Sequence, residues 1–159
     1  MDRYASHLPV LRAFLPMWED QFVLEFGCGE YSTPLLNEYA FATSIEQDCE
    51  AFAITQCANG HDVRFMPWHS VGLKEMDALN NGNYCNHYGL IFVDGCDEAR
   101  KDCVEWAFGH TSLIIAHDAE NPYYGYQLIS TPVGWIRLTV PGAHVWPGCA
   151  VWMKSKETE

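Results

Sequence analysis

The segment spanning residues 23–36, VLEFGCGEYSTPLL, constrains the fold of this chain more than any other. An apolar run carrying one acid, Glu25, breaks at Gly27 and Gly29 and resumes as a helix start in which Ser32 and Thr33 precede Pro34. Glycines at such a turn let the backbone bend sharply and leave its N–H groups open to a ligand. The segment therefore predicts a strand, a ligand-facing turn and a helix, in that order.

The remainder of the chain repeats the alternation. Short apolar runs predict strands over 22–26, 41–46, 63–66, 90–93 and 113–116, and helix-compatible segments fall at 8–15, 34–39, 49–57 and 97–108. Strands that are apolar on both faces and alternate with helices point to a parallel sheet covered on both sides. The pattern changes after Asp118: 135–140 and 150–154 read as two strands joined through Pro141, Gly142, Pro147 and Gly148. The expected fold is α/β, a Rossmann-like, doubly wound, mostly parallel sheet with helices on both faces and an antiparallel C-terminal hairpin at its edge. At 159 residues the natural division is a single domain over 1–159. It comprises an N-terminal helix within 1–20, a cofactor-binding core over 22–118, and a substrate-side loop and hairpin over 119–159.

Charge narrows the partners. Nine basic residues against 21 acidic ones give a net charge of −12, with no Lys/Arg cluster to meet a phosphate backbone or an anionic membrane surface. A small-molecule substrate is favoured over nucleic acid or membrane, and a homodimer is compatible with the composition. The seven cysteines are an odd number without a CxxC pair, which argues for reduced thiols and against a structural zinc site. The N-terminal apolar run is interrupted by Arg12 and lacks a signal-peptide layout, so the expected location is cytoplasmic.

In open sheets of this class, ligands bind beyond the carboxyl ends of the strands, where strand order reverses. Polar residues stand at those ends: Gly27 to Tyr31 after the first strand, Glu46 ending the second, Asp94 and Gly95 after the fourth, His117 and Asp118 after the fifth. Glu46 follows Gly29 by 17 residues, where a carboxylate can accept both hydroxyls of a ribose. A charge at Glu25, inside an apolar strand, needs a partner. The glycine-loop N–H groups or a cationic group on the ligand would supply one. The third glycine of a dinucleotide fingerprint is replaced by Ser32, and no GK[ST] follows, so pyrophosphate and triphosphate ligands lose ground. A ribose-bearing ligand without pyrophosphate remains, and S-adenosylmethionine fits.

VLEFGCGEYSTPLL followed by SIEQD resembles motifs I and II of class I S-adenosylmethionine-dependent methyltransferases. LIFVDGCDEAR and LIIAHDAEN are similar to the strand-four and strand-five signatures of a small, single-domain, VDG-containing subgroup. The resemblance implies that Glu25, Gly27, Cys28 and Gly29 contact the methionine portion of the cofactor and that Ser32 joins them at the helix start. It further implies that Glu46 holds the ribose, that Gln47 edges the adenine, and that Asp94 stands beside the methionine end or the methyl acceptor.

Three chemistries stay open for Asp94, His117 and Asp118, the expected catalytic residues. His117 can take a proton from an acceptor hydroxyl while a carboxylate orients it. Alternatively, Asp94, Asp118 and His117 can hold a divalent ion such as Mg²⁺. Pure positioning of an already nucleophilic acceptor is the third route. Arg100 reads as a partner for a strand-end acid, a contact for a substrate carboxylate or a surface residue. Tyr123, Tyr124 and Tyr126 either close over an acceptor or pack against the late hairpin. Trp68 and His69 either flank an adenine or, for Trp68, join the core, and the polar stretch over 68–88 reads as a specificity loop. The expected function is methyl transfer from S-adenosylmethionine to a small molecule, with O-methylation favoured. The alternative is a non-catalytic module that binds the same cofactor.

Overall fold

A computed structural model describes residues 5–18, 21–39, 41–46, 62–66, 73–74, 87–95, 99–142 and 147–156. The expected helix over 49–57, most of the loop over 68–88 including Trp68 and His69, and the adenine-edge residue Gln47 lie outside the described residues.

Among the described residues seven strands form one sheet: β1 (Phe22–Phe26), β2 (Phe41–Glu46), β3 (Asp62–Phe65), β4 (Leu90–Val93), β5 (Leu113–His117), β6 (Trp135–Val140) and β7 (Cys149–Lys154), in the order β3-β2-β1-β4-β5-β7-β6. The first five pair in parallel, and β7 runs antiparallel between β5 and β6. The late hairpin thus joins the sheet through its second strand and leaves β6 as the edge. Strand order reverses between β1 and β4, which sets the switch point beside Gly27 and Asp94.

Side-chain alternation along the strands explains why both faces are covered. Leu90 and Phe92 of β4 pack with Leu11, Leu15 and Leu36, from the N-terminal elements and α2 (Ser32–Tyr39). Ile91 and Val93 face the other way, onto Cys103, Val104 and Ala107 of α3 (Arg100–Ala107). Each fully buried Leu, Ile or Phe adds roughly 1.5–3 kcal/mol, so the two clusters hold the parallel core from both sides. The first helix, α1 (Leu8–Phe14), passes into a 3₁₀ turn over Leu15–Trp18. It is tied back by Val10 and Leu11, which donate their N–H groups to the His7 carbonyl at 3.0 Å. None of the helices among the described residues is long and apolar enough to cross a membrane.

Candidate active site

The glycine turn is fixed by close backbone approach. Gly27 has φ +91°, and a Cβ there would come within 2.6 Å of the Gly95 nitrogen and 2.7 Å of the Asp94 carbonyl. Its N–H donates to the Ile45 carbonyl at 2.8 Å, while Asp94 donates its own to Phe26 at 2.8 Å. Only glycine satisfies both the left-handed φ and the lack of space. The turn therefore seats the β1–α2 loop directly on the VDG corner that follows β4.

The acids behind this loop are engaged with it. Glu46, 5% exposed, accepts the Cys28 N–H at 2.8 Å. Glu25 is wholly buried and accepts hydrogen bonds from the hydroxyls of Thr33, at 2.7 Å, and Ser44. Thr33 in turn accepts the Gly29 N–H at 2.9 Å, so Glu25 organises the turn through an intervening hydroxyl. Burial raises the Glu25 pKa to about 7, while the hydroxyls of Ser32, Ser44 and Thr33 pull it back. Glu25, expected at the methionine portion, thus lies behind the loop. Gly27, Cys28, Gly29, Ser32 and Glu46 are brought together around the turn, and Ser32 is itself buried in the first turn of α2.

At the neighbouring strand ends a second polar cluster forms. The β4–β5 register pairs Val93 with Ala116, so one step further Asp94 lies opposite His117. His117 Nδ1 is 3.1 and 3.2 Å from the two Asp94 carboxylate oxygens, and its Nε2 is 2.8 Å from Ser6 Oγ. Asp118 adopts φ +57°, which breaks the strand alternation. It approaches His117 Nε2 only at 3.6 Å. Burial raises the pKa of Asp118, opposed by His117 and Arg100.

Arg100, in the first turn of α3, pairs with Asp94 at 3.0 Å and Asp118 at 3.5 Å, and its Nε donates to the Gly95 carbonyl at 2.8 Å. The guanidinium also lies 4.1 Å from the centre of the Tyr124 ring. Desolvation opposes the charge most strongly, but Asp94, Tyr126, Tyr124 and Asp118 together outweigh it and hold the Arg100 pKa up. Of the three readings open for Arg100, the geometry matches pairing with strand-end acids. Tyr126 is fully buried beside Trp152, Tyr124 lies under Arg100, and only Tyr123 stands exposed. Tyr126 therefore packs against the late hairpin, as the second of the two readings has it, while Tyr124 packs on Tyr126 and Arg100.

Sequence reasoning missed Ser6 and His7. His7 is 2% exposed, lies edge-on to His117 with ring centres 4.7 Å apart, and packs at 5.1 Å on Phe92. Neither of its ring nitrogens has a hydrogen-bond partner among the described residues. Burial lowers its pKa to about 4, with Asp94 opposing. An unsatisfied buried polar group costs about 1–3 kcal/mol, so the position is an expensive one for a histidine. The one sequence signal was the pair of polar residues directly before the apolar periodicity of α1.

No family model and no curated protein matches the sequence. Solved structures do match. An O-methyltransferase from Bacillus cereus, in complex with S-adenosylhomocysteine (SAH), is 16% identical with a TM-score of 0.69, over 92% of this chain and 79% of that one. The O-methyltransferase TomG from Streptomyces achromogenes, involved in tomaymycin synthesis and solved with S-adenosylmethionine (SAM), is 12% identical with a TM-score of 0.67, over 96% and 87%. A methyltransferase from Geobacter sulfurreducens is 16% identical with a TM-score of 0.65, over 97% and 80%. The likeness is one of fold, and it extends over nearly the whole chain.

Proposed function

We propose that this chain binds SAM at the β1–α2 turn and transfers its methyl group to a hydroxyl of a small-molecule acceptor. The observation that carries the reading is an adjacency. A glycine turn locked onto the VDG corner by Gly27 and Gly95 stands next to a carboxylate–imidazole pair, Asp94 and His117, at the switch point of the sheet. SAM and SAH bound in the fold neighbours support the choice of ligand.

The residues present fit that ligand. Gly27 keeps the turn free of side-chain bulk, and Glu46, fixed by the Cys28 amide at the end of β2, offers a carboxylate for the ribose hydroxyls. Cys28, Gly29 and Ser32 complete the cradle. When bound, SAM supplies a methyl group on a sulfonium, reactive enough that alignment is the protein's main task. For a hydroxyl acceptor, His117 takes the proton at Nε2, and Asp94 on Nδ1 orients the ring and balances its charge. Asp118 and Arg100 fix the far side of this pair. The reading places the chain with the small VDG-containing methyltransferases, as a cytoplasmic protein that acts on small molecules, without nucleic acid or membrane partners, as a monomer or homodimer.

A second reading, a SAM-binding module without turnover, draws support from one contact. Ser6 fills the hydrogen-bonding position at His117 Nε2, and His117 is 4% exposed. Incubation with methyl-labelled SAM and pools of small hydroxyl compounds separates the two. Labelled product that falls about 10²–10⁴-fold in His117→Ala, the usual range for a general base, supports transfer. Donor binding with no product from any pool supports the module.

A further inference from the structure

We propose that His7, Asp94 and His117 form a binding site for a divalent transition-metal ion of the Zn²⁺ class. One ligand atom from each of the three lies within 4.8 Å of the others. Asp94 Oδ2 stands 3.2 Å from His117 Nδ1 and 3.8 Å from His7 Nδ1. Ligand atoms around a tetrahedral zinc ion, with bonds of about 2.0–2.1 Å, stand about 3.4 Å apart, and the two separations from Asp94 bracket that value.

An independent observation is His7 itself. Its ring is 2% exposed and aimed at the other two ligands, yet neither nitrogen has a hydrogen-bond partner among the described residues. A metal ion is a partner that such an imidazole accepts at the distances found here.

The surroundings suit the role. Ser6 Oγ, 2.8 Å from His117 Nε2, can accept the proton on that nitrogen and leave the Nδ1 lone pair for the ion, as outer-shell partners of metal-bound histidines do. Arg100 occupies Asp94 Oδ1 and leaves Oδ2 between the two imidazoles. With both histidines neutral, the two carboxylates of Asp94 and Asp118 outweigh the single guanidinium of Arg100, so the cluster is net negative. Two imidazoles and one carboxylate favour zinc, cobalt or nickel over Mg²⁺, which prefers oxygen ligands in octahedral array.

This set differs from the one expected from sequence. Asp118 lies on the Nε2 side of His117 and pairs with Arg100, and His7 takes its place. Asp94 is the most exposed of the three ligands, so the open coordination position falls on its side. An acceptor hydroxyl bound there would have its pKa lowered by the ion, and His117 would then serve as ligand in place of base. The metal site does not depend on SAM binding.

The test is a titration of the full chain with Co²⁺, in phosphine reductant and without SAM, followed by visible absorption and histidine-ring NMR. The expected result is one ion per chain, d–d bands without thiolate charge transfer, paramagnetic broadening of the His7 and His117 rings, and displacement by Zn²⁺ but not Mg²⁺. His7→Phe, which keeps the ring volume, should weaken binding by more than about 100-fold, beyond the loss typical of outer-shell changes, and Ser6→Ala by about tenfold. The proposal is overturned by folded protein that takes up no Co²⁺, by thiolate bands, by broadening confined to other residues, or by His7→Phe that folds and binds as tightly as the parent. The ring-broadening result decides the matter even where His7→Phe does not fold.

Discussion

The two polar clusters at the carboxyl edge of the sheet are built differently. Around the β1–α2 turn, donors and acceptors meet one another over short sequence separations. Gly29 donates to Thr33 and Thr33 to Glu25, four and eight residues apart, and Cys28 donates to Glu46, eighteen residues on. At the ends of β4 and β5 the contacts span the chain: Ser6 reaches His117 across 111 positions, and neither nitrogen of His7 has a hydrogen-bond partner among the described residues. The first region is tied by consecutive hydrogen bonds and acts as the more rigid of the two, although Glu25 Oε1 is left without a hydrogen-bond partner among the described residues. A region with an unsatisfied buried imidazole keeps hydrogen-bonding or ligating capacity in reserve. In the proposed function, the first region holds the cofactor and the second does the chemistry.

The sharpest way to break the contrast is Gly27→Ala. The added Cβ meets the Gly95 backbone in a left-handed conformation, and the combined strain should cost more than about 3 kcal/mol. Urea unfolding measures it, and a loss below about 1 kcal/mol would show that the turn is not locked to the VDG corner.

Next comes Glu25, whose pKa in the folded protein is about 7 against 4.5 for an ordinary glutamate. The folded chain holds that proton more tightly, so its contribution to stability is complete below about pH 4.5 and is lost as pH rises towards 7. The loss amounts to roughly 3 kcal/mol, converting the shift at 1.36 kcal/mol per pH unit. Glu25→Gln keeps an acceptor for Thr33 and Ser44 and should abolish that fall. Thermal melts at pH 5 and pH 8 provide the check: equal pH slopes in parent and variant would contradict the assignment.

The smallest effect is expected across the site. Ser6→Ala removes one side-chain hydrogen bond and should cost only about 1 kcal/mol in the same unfolding assay. A larger loss would mean that the second cluster is as tightly built as the first.

The same contrast governs what was legible in the sequence. β1, β2, β4 and β6 occupy the residues read from sequence; β1 and β4, buried almost throughout, are continuous hydrophobic blocks, whereas β6 at the sheet edge has no buried residue. The β3 strand begins one residue earlier, at Asp62, a polar residue that adds a ladder pair without apolar signal, and β7 begins one residue earlier at Cys149, which is buried and pairs with His117 and Val140. The start of α2 at Ser32, two residues ahead of Pro34, shows two hydroxyl residues turned inward to serve Glu25 and the loop. Glu25 was marked by its cost in an apolar strand, though its partners proved to be hydroxyls of α2 and β2. Asp94 with His117 follows from strand register once β4 and β5 are paired. Ser6 and His7 were illegible because their place depends on α1 docking on the β4 face, a tertiary contact with no local spacing to announce it.

The central claim is that the engaged cluster is the SAM cradle and that Glu46 holds the ribose. Isothermal titration of SAH into the parent, Glu46→Ala and His117→Ala proteins tests it most directly. One-site binding by the parent, weakened about 10–100-fold in Glu46→Ala through loss of a charged hydrogen-bond acceptor and kept within about twofold in His117→Ala, is the predicted result. No binding by the folded parent, or equal affinity in Glu46→Ala, would contradict the account.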